Sequence, residues 1–156
     1  MIDFIVVALP RSGTAWLANL LTTETTVCLH ESFLHFSLQE LENMPEHIGI
    51  AETSAAFFPK DVNNHPAKKL VVTRPIAEVN ASAEKLGLPQ LTDYAESLLN
   101  QIDGYTISYQ DLFDYDKMNA AYRFLFDKDL NKLRHAMLCD LQIENRSAIE
   151  HVRSMF

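Results

Sequence analysis

The stretch FIVVALPRSGTAWLANLL, Phe4 to Leu21, passes from an apolar run through Pro10, Arg11, Ser12 and Gly13 into a segment of helical spacing. The run Phe4–Leu9 has the length of a buried strand, and over Thr14–Thr22 the residues Trp16, Leu17, Leu20 and Leu21 fall on one helical stripe. A strand that turns at glycine into a helix offers unpaired backbone N–H groups and the positive end of the helix dipole. Here Ser12, Gly13, Thr14 and Ala15 supply those groups, and the turn is suited to an anion. Arg11 adds a fixed cation, matched to planar, two-pronged contact with a phosphate or sulfate. The plainer reading is a strand-to-helix turn beside a surface arginine.

Outward from this turn, further apolar runs bounded by turn residues predict strands at Thr26–Leu29, Ile48–Ala51, Leu70–Thr73 and Tyr105–Ser108. Helical spacing lies between them: Phe36–Asn43, a segment from Pro75 to about Leu86 that stops at Gly87, and Pro89–Ile102. Two more helices follow the last strand, Asp116–Phe126 and Asp129–Leu141, the latter with Leu130, Leu133, Met137, Leu138 and Leu141 at heptad-like spacing. Alternation of strand and helix predicts a parallel sheet with right-handed crossovers, because parallel neighbours need long connections. The expected fold is a three-layer α/β sandwich with a central, mostly parallel sheet of about five strands. A single domain is expected over 1–156, its C-terminal helices starting near residue 114. In such sheets ligands bind at the carboxyl ends of the strands, where Pro10–Thr14, His30–Ser32, Thr53–Ser54 and Arg74 would converge.

The totals set bounds on partners. A chain of 156 residues, 47% hydrophobic and 22% charged, has room for one globular core, and none of its apolar runs approaches the ~18 residues of a membrane span. Asp3 lies close to the start and no charged, apolar and small-residue triad of an export signal follows. Cys28 and Cys139 stand far apart among apolar neighbours, as reduced thiols do, so a cytoplasmic location is expected. The net charge of −8 argues against nucleic acid and anionic membrane as partners. The amphipathic helices of Asp116–Leu141 would close one face of a monomer or pair two copies in a homodimer.

The turn departs from the ATP-binding P-loop, G-x-x-x-x-G-K-[ST], in which lysine reaches the outer phosphates and the hydroxyl holds magnesium. Ala8 stands at the first glycine and no lysine is present, which disfavours ATP with magnesium. Instead, "LPRSGTAWL" resembles the 5′-phosphosulfate loop of the sulfotransferase family. A second match lies in "LVVTRPIAEVNAS", similar to that family's 3′-phosphate site, where an Arg at a strand end is followed eight residues later by a Ser on the next helix. Arg74 and Ser82 keep that separation; read alone, they are a surface ion-pair partner and a small packing residue. "VCLHES" is similar to the strand end at which branches of the family carry a catalytic glutamate, and "YTISYQDLFDYDKMNAAYRFLF" resembles a late strand and helix of mostly structural role.

The resemblance runs in order from about Phe4 to Phe126. It implies a P-loop NTPase-like fold and transfer of the sulfuryl group of 3′-phosphoadenosine 5′-phosphosulfate (PAPS) to a hydroxyl or amine, without metal and with 3′,5′-adenosine bisphosphate (PAP) as product. By position, Arg11, Ser12, Gly13, Thr14, Ala15 and Trp16 would hold the 5′ side of the donor, and Arg74 and Ser82 its 3′-phosphate. Glu31 stands at the general-base position, with His30 as a rival. A carboxylate near an anionic donor has a raised pKa and accepts a proton from an acceptor hydroxyl. Many relatives carry a lysine at the end of the third strand; here Glu52, Thr53 and Ser54 stand there, and Lys60 and Lys68 are the candidate substitutes. Two other readings follow from that gap and from the short chain: a nucleotide-binding module that has lost transfer, and a small-molecule kinase on a related fold. "ENRSAIEHVRSMF", with Arg146 and Arg153, reads as a surface helix.

Overall fold

The computed structural model describes residues 1–141, and the segment containing Arg146 and Arg153 lies outside them. Five strands form one parallel sheet: β1 (Ile2–Ala8), β2 (Val27–His30), β3 (Ile48–Glu52), β4 (Lys68–Thr73) and β5 (Tyr105–Ser108), in the order β2-β3-β1-β4-β5. β1 is central, pairing Ile5 with Ile50 of β3 on one side and Val6 with Leu70 of β4 on the other. The chain runs from β1 to the β2 edge, returns through β3, and then builds outward on the opposite side of β1. The loop after β1 therefore sits where the winding reverses, the place at which open α/β sheets leave a crevice.

Alternation along β1 feeds two cores. Phe4, Val6 and Ala8 face α1 (Thr14–Leu21) and α6 (Tyr115–Phe126), meeting Leu17, Leu20, Met118 and Leu125. Ile5, Val7 and Leu9 face the other layer, made by α2 (Leu38–Glu42), α3 (Pro59–Asn64), α4 (Ile76–Glu84) and α5 (Asp93–Leu99). Each fully buried leucine in these layers contributes about 2 kcal/mol through area removed from water. Gly49 in β3 leaves room for Phe4, whose ring would lie 2.0 Å from any Cβ placed there. Among the described residues no helix is long and apolar enough to cross a membrane.

All five strands lie where the apolar runs predict them, and the α/β fold follows. Several helices differ. α2 is shorter than Phe36–Asn43 because Ser37 caps it, accepting from Glu40 N while the Glu40 carboxylate accepts from Ser37 N. Pro59–Asn64 forms a helix that the sequence reading left out, with Pro59 in its first turn. Pro75 stands just ahead of α4, whose far end is closed by N–H bonds from Gly87 to Glu84 O and from Leu88 to Ala83 O. The segment Pro89–Ile102 is helical only from Asp93, since Asn80 pins Leu91 through both of its backbone groups at 2.8 Å.

The last described helix, α7 (Lys132–Asp140), packs by only part of its heptad-like stripe, through Leu138 and through Leu130 just ahead of it. Leu133 and Met137 are 70% and 59% exposed, whereas His135 is buried with Nε2 2.8 Å from Leu112 O and its ring edge-on to Trp16. Trp16 Nε1 donates to Leu138 O at 2.9 Å, so the helix is docked by polar contacts to α1 and to the loop after β5.

Candidate functional site

The turn after β1 is held in a strained conformation. Arg11 has φ +65° and Gly13 φ +88°, and a Cβ at Gly13 would crowd Leu112 Cδ1 at 2.8 Å, so glycine is favoured both by backbone and by space. A left-handed non-glycine residue costs about 1–2 kcal/mol and persists where its surroundings over-determine it. At Arg11 the surroundings are specific: Nε donates to Ser82 Oγ at 3.1 Å, and its carbonyl accepts from the Arg74 guanidinium. Ser12 is buried, and its hydroxyl has no hydrogen-bond partner among the described residues. Buried polar groups are nearly always paired, so an orphan hydroxyl under this strand-to-helix turn stands out.

Arg74 leaves the end of β4 and stacks on Tyr109, its guanidinium carbon 4.0 Å from the ring centre, with Glu78 3.5 Å away one turn along α4. Tyr109 is itself fixed by its N–H to Thr73 O at 2.8 Å. The stack holds the guanidinium flat, with Nε turned to the Glu78 carboxylate and one terminal nitrogen donating to Arg11 O. Arg11, Gly13, Thr14, Ala15, Trp16, Arg74 and Ser82 thus line one cleft of about 330 Å³, with Tyr109, Phe113 and Cys139 completing its wall. Of the residues singled out for donor contact, Ser12 alone lies beneath this cleft instead of on its wall.

A second cleft, of about 400 Å³, opens on the other side of the same turn. It shares Arg11 and Thr14 with the first and is otherwise bounded by Pro10, Glu31, Leu34, Thr53, Leu86 and Leu88. Glu31 follows β2 with φ +51°, and its Oε1 accepts from Thr53 N at 3.1 Å. Burial pushes its carboxyl above the ordinary glutamate range, against the contrary pull of Thr53. His30 Nε2 lies 3.1 Å from Thr14 Oγ1 and 3.7 Å from Glu31 Oε1, and burial pushes its pKa below the usual histidine value. Glu31 lines the second cleft; His30 lines neither and is occupied by Thr14.

The lysines considered for the end of the third strand are elsewhere. Lys68 begins β4, at the end of the strands opposite the clefts, and donates to Phe124 O and Leu125 O at 2.8 and 3.1 Å. Lys60 is exposed on α3 and lines neither cleft. At the strand end itself Glu52 is fully buried, its carboxylate taken up by Ser32 and Phe33. The sequence reading passed over Tyr109 as structural and did not reach Phe113, Leu34, Leu86 or Leu88. Tyr109 was signalled by an aromatic residue directly after a strand and Phe113 by a second one four residues on, while the leucines carry no local signal, since Leu34 lies more than fifty residues before Leu86 and Leu88.

No protein-family model matches the sequence, and no curated protein does. Among solved structures, a mouse sulfotransferase, SULT7A1, complexed with PAP, superposes with a TM-score of 0.58 at 17% identity. The match covers 88% of this chain and 63% of that one, so the chain spans under two thirds of its neighbour's length. At this identity the likeness lies in the fold: a five-stranded parallel α/β sheet wound as in a sulfotransferase that was solved with PAP.

Proposed function

We propose that the protein is a PAPS-dependent sulfotransferase in which the two clefts receive donor and acceptor on opposite sides of Arg11 and Thr14. The observation that carries this reading is the convergence of the Gly13 turn, Arg11, Arg74 and Ser82, from three separate elements, on one cleft. Backbone N–H groups of the turn and the unpartnered Ser12 hydroxyl suit the 5′-phosphosulfate. Arg74 and Ser82 suit the 3′-phosphate that distinguishes this donor from ATP. Trp16, Tyr109 and Phe113 offer ring surface for a base.

Glu31 is the general base in this reading. It takes the proton of the acceptor hydroxyl as the new O–S bond forms and the bond between sulfur and the 5′-phosphate oxygen breaks, releasing PAP. The raised pKa given by burial suits that proton transfer near neutral pH. Leu34, Leu86 and Leu88, 76%, 53% and 44% exposed, ring a cleft whose charged walls among the described residues are Arg11 and Glu31. An uncharged alcohol with an apolar body fits such walls better than an anionic sugar. Both cysteines are free thiols, in keeping with work in a reducing, cytoplasmic setting.

Titration calorimetry with PAP, ADP and magnesium-ATP tests the donor. PAP binds more tightly than either, and Arg74→Ala lowers its affinity by about 10- to 100-fold, the worth of a charge-assisted contact. A preference for magnesium-ATP would mark a kinase instead. Radiolabelled transfer from PAPS to a panel of apolar alcohols then tests the reaction; PAP binding without transfer to any of them would mark a nucleotide-binding module.

A further inference from the structure

At the carboxyl ends of β2 and β3 two glutamates hold each other's chain. Glu52, the last residue of β3, is fully buried, and its Oε1 accepts from Ser32 Oγ at 2.5 Å and from Phe33 N at 3.0 Å. Its other oxygen lies 3.5 Å from Ser54 Oγ. Ser32 and Phe33 are the two residues that follow Glu31. In return, Glu31 Oε1 accepts from the N–H of Thr53, the residue that follows Glu52. Upstream, Glu31 N donates to Ala51 O at 3.0 Å and so prolongs the sheet ladder. The left-handed backbone of Glu31 is fastened on one side by the ladder and on the other by the Glu52 carboxylate.

A fully buried carboxyl is costly to keep, and an apolar residue would pack there more cheaply. Glu52 lines neither cleft, so it meets no ligand itself. We propose that Glu52 is a positioning residue for Glu31: by holding Ser32 and Phe33 it fixes the left-handed turn that sets the Glu31 carboxylate on the wall of the acceptor cleft. The proposal rests on the reading of Glu31 as the base. Reach and angle of a base govern proton transfer steeply, so a loosened turn lowers turnover without touching donor contacts. The charged and titratable groups around Glu31 are His30 beside it, Glu52 behind it and Arg11 across the cleft. Replacing Glu52 alters one of them, which is why two kinds of replacement are compared.

The test follows the Glu31 carboxyl by NMR titration in protein carrying 13C-labelled glutamate, assigned by the signal that Glu31→Gln removes. Glu52→Gln keeps an acceptor oxygen for Ser32 and Phe33, Glu52→Ala removes it, and Ser32→Ala removes one arm alone. Expected is a midpoint above the ordinary glutamate range in the parent protein, held in Glu52→Gln and brought down toward that range in Glu52→Ala and Ser32→Ala. A midpoint unmoved in both alanine variants overturns the proposal, as does one that falls as far with Gln as with Ala. Should Glu52→Ala not fold, Ser32→Ala against Glu52→Gln decides. In an active parent enzyme, Ser32→Ala or Glu52→Ala lowers kcat about tenfold or more with PAP affinity within about twofold, and Glu52→Gln restores kcat. Parallel loss of PAP affinity and kcat would overturn the positioning role. A parent protein that binds no PAP and transfers nothing overturns the reaction assigned above, and the titration then judges the clamp alone.

Discussion

Arg11 and Glu31 are two of the three non-glycine residues with positive φ among those described, and each borders the second cleft. Strain placed at both walls of one crevice is a cost that the fold offsets with named contacts: Ser82 and Arg74 at Arg11, Thr53 and Glu52 at Glu31. Gly13 is under a further constraint, because a Cβ there would also crowd the Leu112 side chain. Gly13→Ala is therefore expected to destabilise the protein by about 2 kcal/mol, a fall in Tm of about 4–8 °C by calorimetry. Glu31→Gln leaves an acceptor for Thr53 but cannot take a proton. It is expected to lower kcat by about 10²–10³-fold with PAP affinity unchanged, read in a transfer assay beside calorimetry. An unchanged kcat would return the role to His30.

Among the elements, α4 and the strap after it carry one side of both clefts: Ser82 on the helix lines the first, Leu86 and Leu88 the second. Asn80 ties this strap to the helix, its amide donating to Leu91 O and accepting from Leu91 N. Asn80→Ala leaves both backbone groups unpaired and is expected to cost about 1–2 kcal/mol. Loss of hydrogen-exchange protection at the Leu91 amide, with the β1 amides still protected, is the expected signature. The strap also shows where a periodic pattern misleads. Leu91 belongs by spacing to the helix that follows, yet its backbone is satisfied by Asn80, and the helix begins only at Asp93. The same holds in part for α7, where Leu130 and Leu138 pack as the spacing suggests but Leu133 and Met137 are exposed, and His135 and the Leu138 carbonyl add polar docking.

For the molecule as a whole, the buried carboxyls set a pH dependence. Burial, with Glu31 nearby, raises the Glu52 pKa above its unfolded value, and burial raises that of Glu31. Each favours its protonated form in the fold, so its contribution is complete below the unfolded glutamate pKa and is lost as pH rises through the folded value. His30 works in the opposite sense: its lowered pKa favours the neutral ring, a contribution complete above the unfolded histidine pKa and lost as pH falls through the folded value. Urea unfolding across this range is expected to show stability declining on the alkaline side of the unfolded glutamate pKa, with a shallower decline in Glu52→Gln. A slope identical in the two proteins would show that Glu52 does not titrate there.

The strands, their parallel arrangement and the strand-to-helix turn at Gly13 were determined by the sequence itself. Apolar runs long enough for one strand, broken by Pro and Gly, leave few other ways to bury that surface, and a turn at glycine is a local matter of φ and sterics. Arg74 and Ser82 stand out in the sequence only through the family resemblance, since read alone they are a surface ion-pair partner and a small packing residue. The sharing of Arg11 and Thr14 by two clefts, the Tyr109 stack under Arg74 and the mutual hold of Glu31 and Glu52 were decided only by the tertiary structure. Each joins residues from strands that are neighbours in the sheet but far apart in the chain, and pairing across a parallel sheet is written in register and packing, not in any local spacing.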